Sequence, residues 1–391
     1  MLRVLTISKP YVAASYRDKI SELARIPGIT AGLVTPPAWG TQAFEPAKSP
    51  EPFETWQVPI LANGRNHFHV YRSGGIKAAF SAFRPAIANI EEEHYSAVTF
   101  QLFRQAVTFG AKPVFYTWQN IAKRYPPPFS WIERYVFRHA AAGVVGNAEA
   151  GEILRAKGYR GLIREIPQMG FTPGRFVPAR SDEAARKERK RALGLDPDAF
   201  VVCYAGRLVE EKGLGSLVHA AGQLHAMGIT PRVKIVLLGT GPEQEHLLRL
   251  ARSTGAEASV HFAGSVASTE VPQWFQAVDA LALPSLTRAN WKEQFGRVLV
   301  EAMAAGAVVI GSSSGEIPNV IGTAGMVFPE GDSAALASAI ALLARDPART
   351  TALRAAGQVR AAEHFSNQII ARKFADLFFE IAGKDSPSSS P

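Results

Sequence analysis

Glu293 and Glu301 stand eight residues apart on either side of Gly296 and Arg297, and farther upstream Arg207 and Lys212 lie between Gly206 and Gly213. Residues of these types suit a diphosphate that joins two hydroxyl-rich groups. Arginine can bridge two phosphate oxygens, lysine adds a mobile point charge, and carboxylates accept hydrogen bonds from sugar hydroxyls. The glycines let backbone approach such a ligand closely.

The carboxylates are positioned by the stretch Pro284 to Gly315, PSLTRANWKEQFGRVLVEAMAAGAVVIGSSSG. The apolar run Val278 to Leu283 predicts a strand, and a polar loop then carries Glu293, Gln294, Phe295 and Gly296. A short helix is predicted over Arg297 to Ala305, ended by Gly306, with a strand over Ala307 to Ile310. Strand, loop, helix, strand is the parallel α/β unit, whose ligands bind at the carboxyl ends of the strands. The N–H groups of Gly296, Arg297 and Val298 at the helix start carry partial positive charge and form a seat for phosphate. Glu293 precedes that seat. Glu301 lies roughly 7 to 8 Å along the axis and leans back toward the helix start. A diphosphate there would have a carboxylate near each end, one for a ribose and one for a sugar. Taken alone, the spacing favours a helix merely packed in a sheet, because two glutamates eight apart are commonplace.

The cations follow another strand, Phe200 to Tyr204, which ends at Ala205, Gly206 and Arg207 before the loop that leads to Lys212 and Gly213. A strand over Lys234 to Leu238 runs into Gly239, Thr240, Gly241 and Pro242, too short for a dinucleotide fingerprint or a P-loop. A further strand, Ser259 to Phe262, ends at Gly264, Ser265 and Val266. Asp196 and Asp198 flank Pro197 as turn residues. No metal constellation is visible, so the cations are expected to hold phosphate without a metal.

The length of 391 residues suggests two domains, and a composition of 47% hydrophobic and 20% charged residues is that of a soluble globular protein. Met1 leads directly into the strand-like LRVLTIS with no signal peptide ahead of it, and no apolar run approaches a membrane span. The single cysteine, Cys203, lies in the apolar run FVVCYAG and reads as a buried small hydrophobe. A cytoplasmic protein is expected. The charge is uneven: residues 1 to 175 hold 21 Lys+Arg against 12 Asp+Glu, a net of +9, whereas residues 176 to 391 hold 22 of each. That excess favours an anionic partner for the first half: an acidic membrane surface, a phosphorylated lipid or glycan acceptor, or, as the weakest of these, nucleic acid. A merely solubilising surface fits equally well, and no nucleic-acid motif is present.

Strands are predicted near Leu2 to Ile7, Ile29 to Thr35, His67 to Tyr71, Ala86 to Ile90, Pro113 to Tyr116 and Ala142 to Val145, with helical stretches between them. Such alternation makes a doubly wound parallel sheet. Its strand ends Ser8 to Tyr11, Glu91 to Tyr95 and Trp118 to Asn120 are then expected to line a cleft, with Glu92, Glu93, His94, Gln119 and Asn120 on an acceptor side. A lone loop histidine is more often incidental. Asn147 reads as the N-cap of a helix from Ala148 to Lys157. In RYPPPFSWIERYVFRH, Arg124 to His139, a helix is predicted from Ser130, with Trp131, Tyr135 and His139 on one face. With Arg124, Arg134 and Arg138 it suits a membrane surface or packing on the sheet, the latter slightly preferred. Ile166 to Phe176 reads as the crossing between domains, Ser181 to Arg191 as a solvated helix, and Ala361 to Ile381 as amphipathic helices. The tail from Lys384 to Pro391 is too polar and proline-rich to order.

GRLVEEKG at Gly206 to Gly213, FAGSV at Phe262 to Val266, and EQFGRVLVEAMAAG followed by VIGSSSGEIP together resemble the retaining family 4 glycosyltransferases of the GT-B fold. The resemblance covers nearly the whole second half and, in outline, the first. It implies an α/β protein of two Rossmann-like doubly wound domains facing a central cleft. These are an acceptor domain over 1–172, to which a helix at 365–382 returns, a donor domain over 173–364, and a disordered tail over 383–391. It implies that Arg207 and Lys212 hold the donor diphosphate with the amides of Gly296 and Arg297. Glu293 and the Phe295 backbone would touch the transferred sugar, Glu301 the ribose, and the backbone near Val266 the base. The first domain departs from the pattern: Ala13 and Ala14 fall near a usual glycine pair, and Gln119 and Asn120 near a usual histidine. Asn319 stands where many relatives have an acid. The function implied is metal-independent retaining transfer from a UDP- or GDP-sugar to a glycan, glycolipid or polyprenyl-linked acceptor, in surface polysaccharide or glycolipid synthesis, at the inner face of the membrane. The nucleotide sugar is a substrate, and no cofactor is expected. The alternatives are a basic nucleotide-sugar-binding or membrane-docking protein without turnover, and a glycoside hydrolase.

Overall fold

The computed structural model describes residues 1–47, 49–178, 182–229 and 232–386. It divides into two compact units, Met1–Gly170 with Asn367–Pro391, and Phe171–Ser366. Ser181 and the end of the tail, 387–391, to which the expectations of a charged helix and a disordered tail extend, lie outside the described residues.

In the first unit seven strands form one sheet: β1 Leu2–Ile7, β2 Ile29–Thr35, β3 Glu54–Gln57, β4 Ile87–Ile90, β5 Lys112–Thr117, β6 Ala142–Val145 and β7 Leu162–Glu165. Their order is β7-β6-β5-β4-β1-β2-β3, and every pairing is parallel. Side chains alternate across such a strand, so β1 serves two cores. Leu5 and Ile7 pack with Phe80, Phe103 and Phe115 on one face, whereas Leu2 and Val4 pack with Ile20, Leu23 and Phe374 on the other. The helix Asn367–Ala382, the last among the described residues, supplies Ile370, Phe374 and Phe378 to that second face and so completes the first unit.

The strand predicted over His67 to Tyr71 shrinks to Val70–Tyr71, which pairs antiparallel with Ile60–Leu61 outside the main sheet. Local bonds explain the difference: Phe68 N and His69 N both donate to Arg65 O, which folds the start of that run into a turn. The sheet edge is taken instead by β3, a short, half-exposed strand with no clear signal in the sequence.

The second unit holds β8 Phe200–Ala205, β9 Val233–Leu238, β10 Val260–Gly264, β11 Ala280–Leu283, β12 Val308–Ser312 and β13 Gly325–Phe328, all parallel, in the order β10-β9-β8-β11-β12-β13. The chain winds outward from β8 through β9 and β10, then returns to β11 and winds the other way. A topological switch point therefore lies between β8 and β11, and its counterpart in the first unit lies between β1 and β4. Ligand crevices of doubly wound sheets open at the carboxyl ends of strands beside such points.

The charged helix, Glu183–Ala192, starts from Asp182, whose side chain accepts from Ala185 N. It is not simply solvated. Arg186 and Lys190 are buried, and Lys190 Nζ lies 2.6 Å from Asp279 Oδ2, at the opposite end of the sheet from the strand carboxyl termini.

Candidate active site

Lys212 follows β8 and Glu293 follows β11, so the two residues leave neighbouring strands on either side of the switch point. Lys212 Nζ lies 2.6 Å from Glu293 Oε2, and the Ser285 hydroxyl donates to the same oxygen at 2.8 Å. Glu293 and Ser285 are buried, and Lys212 is half-buried. The backbone brings them together. Gly213 has φ +65°, and a Cβ there would lie 2.0 Å from the carbonyl oxygen of Pro284, so only glycine lets the Lys212 turn close onto the end of β11. The main chain of Glu293 is fixed from the other side: Glu316 N donates to its carbonyl at 3.1 Å, and a Cβ on Gly315 would stand 2.1 Å from that carbonyl oxygen.

The helix Arg297–Ala305 begins at Gly296, whose φ of +74° is left-handed and which carries no side chain to cap the first turn. The helix ends at Gly306, also left-handed, as its sequence predicts. Glu301 pairs with Arg297 at 2.7 Å. Each of the two carboxylates is thus held by a cation of the same neighbourhood, Glu293 by Lys212 and Glu301 by Arg297. Phe295 turns its ring inward against Phe365, 5.6 Å between centroids, which leaves its backbone as the part near the helix start. Gly206 and Arg207 leave the end of β8 exposed, and the Tyr204 hydroxyl donates to Arg207 O at 2.8 Å to fix that turn. Burial, with Glu293 and Glu211 nearby, pushes the Tyr204 phenol well up, so it remains a donor at neutral pH. Val266 is half-buried just beyond β10, on the β9 side of the same sheet edge.

In the first unit the polar strand ends also converge beside a switch point. Lys9 and Ser8 after β1 bind Glu92 after β4: the Lys9 ammonium pairs with the carboxylate, Lys9 N donates to Oε1 at 3.1 Å, and Ser8 Oγ donates to Oε1 at 3.2 Å. Glu93 is spent on the end of β5, accepting from Thr117 Oγ1 at 2.6 Å and Trp118 N at 3.0 Å. His94 is fully buried, with Nε2 2.9 Å from Glu133 Oε1 and its ring stacked on Phe137. That places it as a tie to the helix Phe129–His139. Glu133 also pairs with Lys157 at 2.6 Å; although burial pushes its carboxyl up, the bonds from His94 and Lys157 hold it below the usual value. Gln119 donates to Ile121 O at 3.2 Å, and Asn120 is buried beside it. Glu91 accepts from Tyr11, Lys19, Asn89 and Gln168 and is a core residue of this network.

Sequence reading missed Ser285 and Trp291. The first had one available signal, a hydroxyl placed immediately after a buried strand at its carboxyl end. Trp291, an aromatic in a polar loop, lies with its ring centroid 4.7 Å from Lys212 Nζ. Among the described residues no group of three or more His, Cys, Asp or Glu side chains is arranged to hold a metal ion. The Asp196 side chain accepts from Asp198 N at 2.9 Å, the local turn expected of that triplet.

Two switch-point crevices on two doubly wound parallel sheets define the GT-B class, and solved structures of that class superpose on the chain. The sucrose-phosphate synthase of Thermosynechococcus elongatus does so with a TM-score of 0.74 at 19% identity, covering 98% of this chain and 100% of that one. Anabaena HepE in complex with UDP gives a TM-score of 0.74 at 19% identity, over 97% of this chain and 100% of the other. Residues 185–360 match the model of the glycosyl transferases group 1 family. A D-inositol 3-phosphate glycosyltransferase of Streptomyces bingchenggensis is 30% identical over 254 residues, 62% of this chain and 53% of the relative. A GDP-mannose-dependent alpha-(1-6)-phosphatidylinositol monomannoside mannosyltransferase of Mycobacterium tuberculosis is 34% identical over 212 residues, 53% of this chain and 54% of the relative. The chain spans about half the length of these curated relatives.

Proposed function

We propose that this protein is a retaining glycosyltransferase that moves a sugar from a UDP- or GDP-sugar to a hydroxyl of a glycan, glycolipid or other lipid-linked acceptor. The observation that carries this reading is the Lys212–Glu293 pair, which spans the switch point of the second sheet at the start of the helix Arg297–Ala305. The bond from sugar C1 to the diphosphate oxygen breaks and negative charge builds on the leaving group. Lys212, Arg207 and the amides at Gly296 and Arg297 meet that charge, the work a metal would otherwise do, so neither metal nor cofactor is required. The acceptor oxygen bonds to C1 on the face the diphosphate leaves, and its proton passes to the departing phosphate oxygen, so configuration is retained. Glu293 holds the sugar in place for this step, and Glu301 accepts from the ribose. The base lies along the backbone near Val266. Because each carboxylate is held by a cation, an arriving diphosphate competes for Lys212 and Arg297 and frees Glu293 and Glu301 for hydroxyls.

Acceptor contacts are proposed for Glu92, Gln119 and Asn120 at the strand ends of the first unit, with Glu93 and His94 positioning them through the bonds these two make to the end of β5 and to Glu133. The names of the relatives, which specify inositol phosphate and phosphatidylinositol mannoside acceptors, support a phosphorylated polyol or lipid. No helix among the described residues is long and apolar enough to cross a membrane. Contact with the anionic inner face is proposed through the helix Phe129–His139. There Trp131 is 60% exposed and Arg134 and Arg138 share its outer face, whereas Tyr135 packs against His139 and, edge to face, against Phe100. Replacing Trp131, Arg134 and Arg138 together by alanine is expected to weaken cosedimentation with phosphatidylserine vesicles by roughly tenfold or more, at about 1 kcal/mol per cation near the surface. Unchanged cosedimentation would remove this helix from the reading.

Thermal shifts with UDP, GDP and ADP, followed by a donor-hydrolysis screen, test the activity itself. Slow donor hydrolysis that vanishes in Lys212→Ala is the expected result. Tight donor binding without turnover across acceptors would make the protein a binder, and cleavage of simple glycosides without nucleotide would make it a hydrolase.

A further inference from the structure

We infer that Trp291 is a specificity-determining contact for the transferred sugar, forming an apolar wall against which the C–H face of a pyranose lies beside Glu293. The inference rests on the donor site proposed above and adds the residue that reads the sugar rather than the phosphate. Lys212 Nζ lies 2.6 Å from Glu293 Oε2 and 4.7 Å from the centroid of the indole, so the carboxylate and the ring share one cation. A sugar held by Glu293 beside this ammonium is thereby brought into the neighbourhood of the ring. Trp291 is only half-buried, so part of the ring is available for contact.

The loop that carries it is fastened. Arg288 N donates to Trp291 O at 2.7 Å, and the Arg288 guanidinium pairs with Glu210 at 2.8 Å. Leu286 N donates to Glu211 O at 2.8 Å, and Thr287 N to Glu330 Oε2 at 2.7 Å. The segment from Ser285 to Glu293 is thus tied to the turn that ends in Lys212, and the indole is presented by a fixed backbone.

Electrostatics decide which part of the donor lies there. The face of an indole is negative, so it attracts an ammonium or the positively polarised C–H groups of a sugar and disfavours phosphate oxygens. The diphosphate goes to the cations and the helix start; the ring is left to the sugar. A donor with a continuous C–H face, a hexopyranose, is the class that this wall fits.

The test compares nucleoside diphosphate with nucleotide sugar on the full chain, as GDP against GDP-mannose and UDP against UDP-glucose, by calorimetry on wild type, Trp291→Ala and Trp291→Phe. Expected is a loss of about tenfold in sugar-nucleotide affinity for Trp291→Ala, with diphosphate affinity unchanged within about twofold and Trp291→Phe near wild type. An equal loss for both ligands would mean that the indole only aims Lys212, and no loss for either would mean that it touches nothing; both overturn the inference. Wild type that binds neither pair would sink the donor-site reading itself, a different failure from either of these.

Discussion

Glu293→Gln is expected to lower sugar transfer about a hundredfold, the scale of a misplaced reacting group, while nucleoside diphosphate binds as tightly as to wild type or more tightly. The two halves of this result have one cause. The carboxylate shares one oxygen between Lys212 and Ser285, so it restrains the cation that a diphosphate needs. The amide keeps the shape and one acceptor oxygen for the Ser285 hydroxyl but gives up the charge, which releases Lys212 to phosphate and weakens the hold on the sugar. Steady-state transfer rates and diphosphate calorimetry on the same preparation read both halves. A fall in diphosphate affinity parallel to the fall in rate would show that the substitution had disordered the loop.

Asp279→Ala is expected to cost the second unit about 3 to 5 kcal/mol, because it strips the partner from buried cations. Asp279 Oδ2 accepts from Lys190 Nζ at 2.6 Å and from Val201 N at 2.9 Å, and Oδ1 accepts from Arg354 at 2.7 Å. Arg186 stands in the same group, bonded to the carbonyls of Val278 and Gly306, and burial with Arg354 nearby lowers its guanidinium to about 10. Without the carboxylate, cations crowd one buried space with carbonyl oxygens and the more distant, exposed Glu183, 3.8 Å from Arg354, to answer them. Thermal unfolding should fall by roughly 10 °C for a unit of this size, and Asp279→Asn, which keeps an acceptor but no charge, should fall less. A shift of a degree or two in Asp279→Ala would show that the carbonyls already neutralise the cluster.

These two sites were unequally legible in the sequence. The strand, helix and strand around Glu293 follow from local rules: an apolar run sets β11, a left-handed glycine at Gly306 ends the helix, and Asn147 caps its own helix in the first unit by accepting from Ala150 N, as its type predicts. The direction in which Glu293 and Lys212 face also follows from the parallel pattern. What sequence does not contain is the pairing itself, since those two residues are 81 apart and meet only because β8 and β11 become neighbours. The same holds for Lys190 and Asp279, 89 apart, which is why a helix of mostly charged residues reads as solvated when one of its faces is buried. β3 was invisible because an edge strand of half-exposed polar residues needs no hydrophobic alternation, its pairing to β2 being main-chain. The acceptor side suffered most, because Glu92, Glu93 and His94 look alike as strand-end polar residues. Only packing shows that all three bind the protein itself, His94 through Glu133, Glu93 through the end of β5 and Glu92 through Ser8 and Lys9 after β1.

Calorimetric titration of GDP and UDP into wild type and Lys212→Ala, at low and at moderate salt, bears on the diphosphate seat with the fewest intervening assumptions. If the seat is where Lys212 meets the start of the helix at Gly296, the variant should bind at least one of these nucleotides about tenfold more weakly, the loss of roughly one charge-assisted hydrogen bond, and should show a shallower dependence on salt. Equal affinity in variant and wild type, or a guanosine or uridine that binds as tightly as its diphosphate, would contradict it.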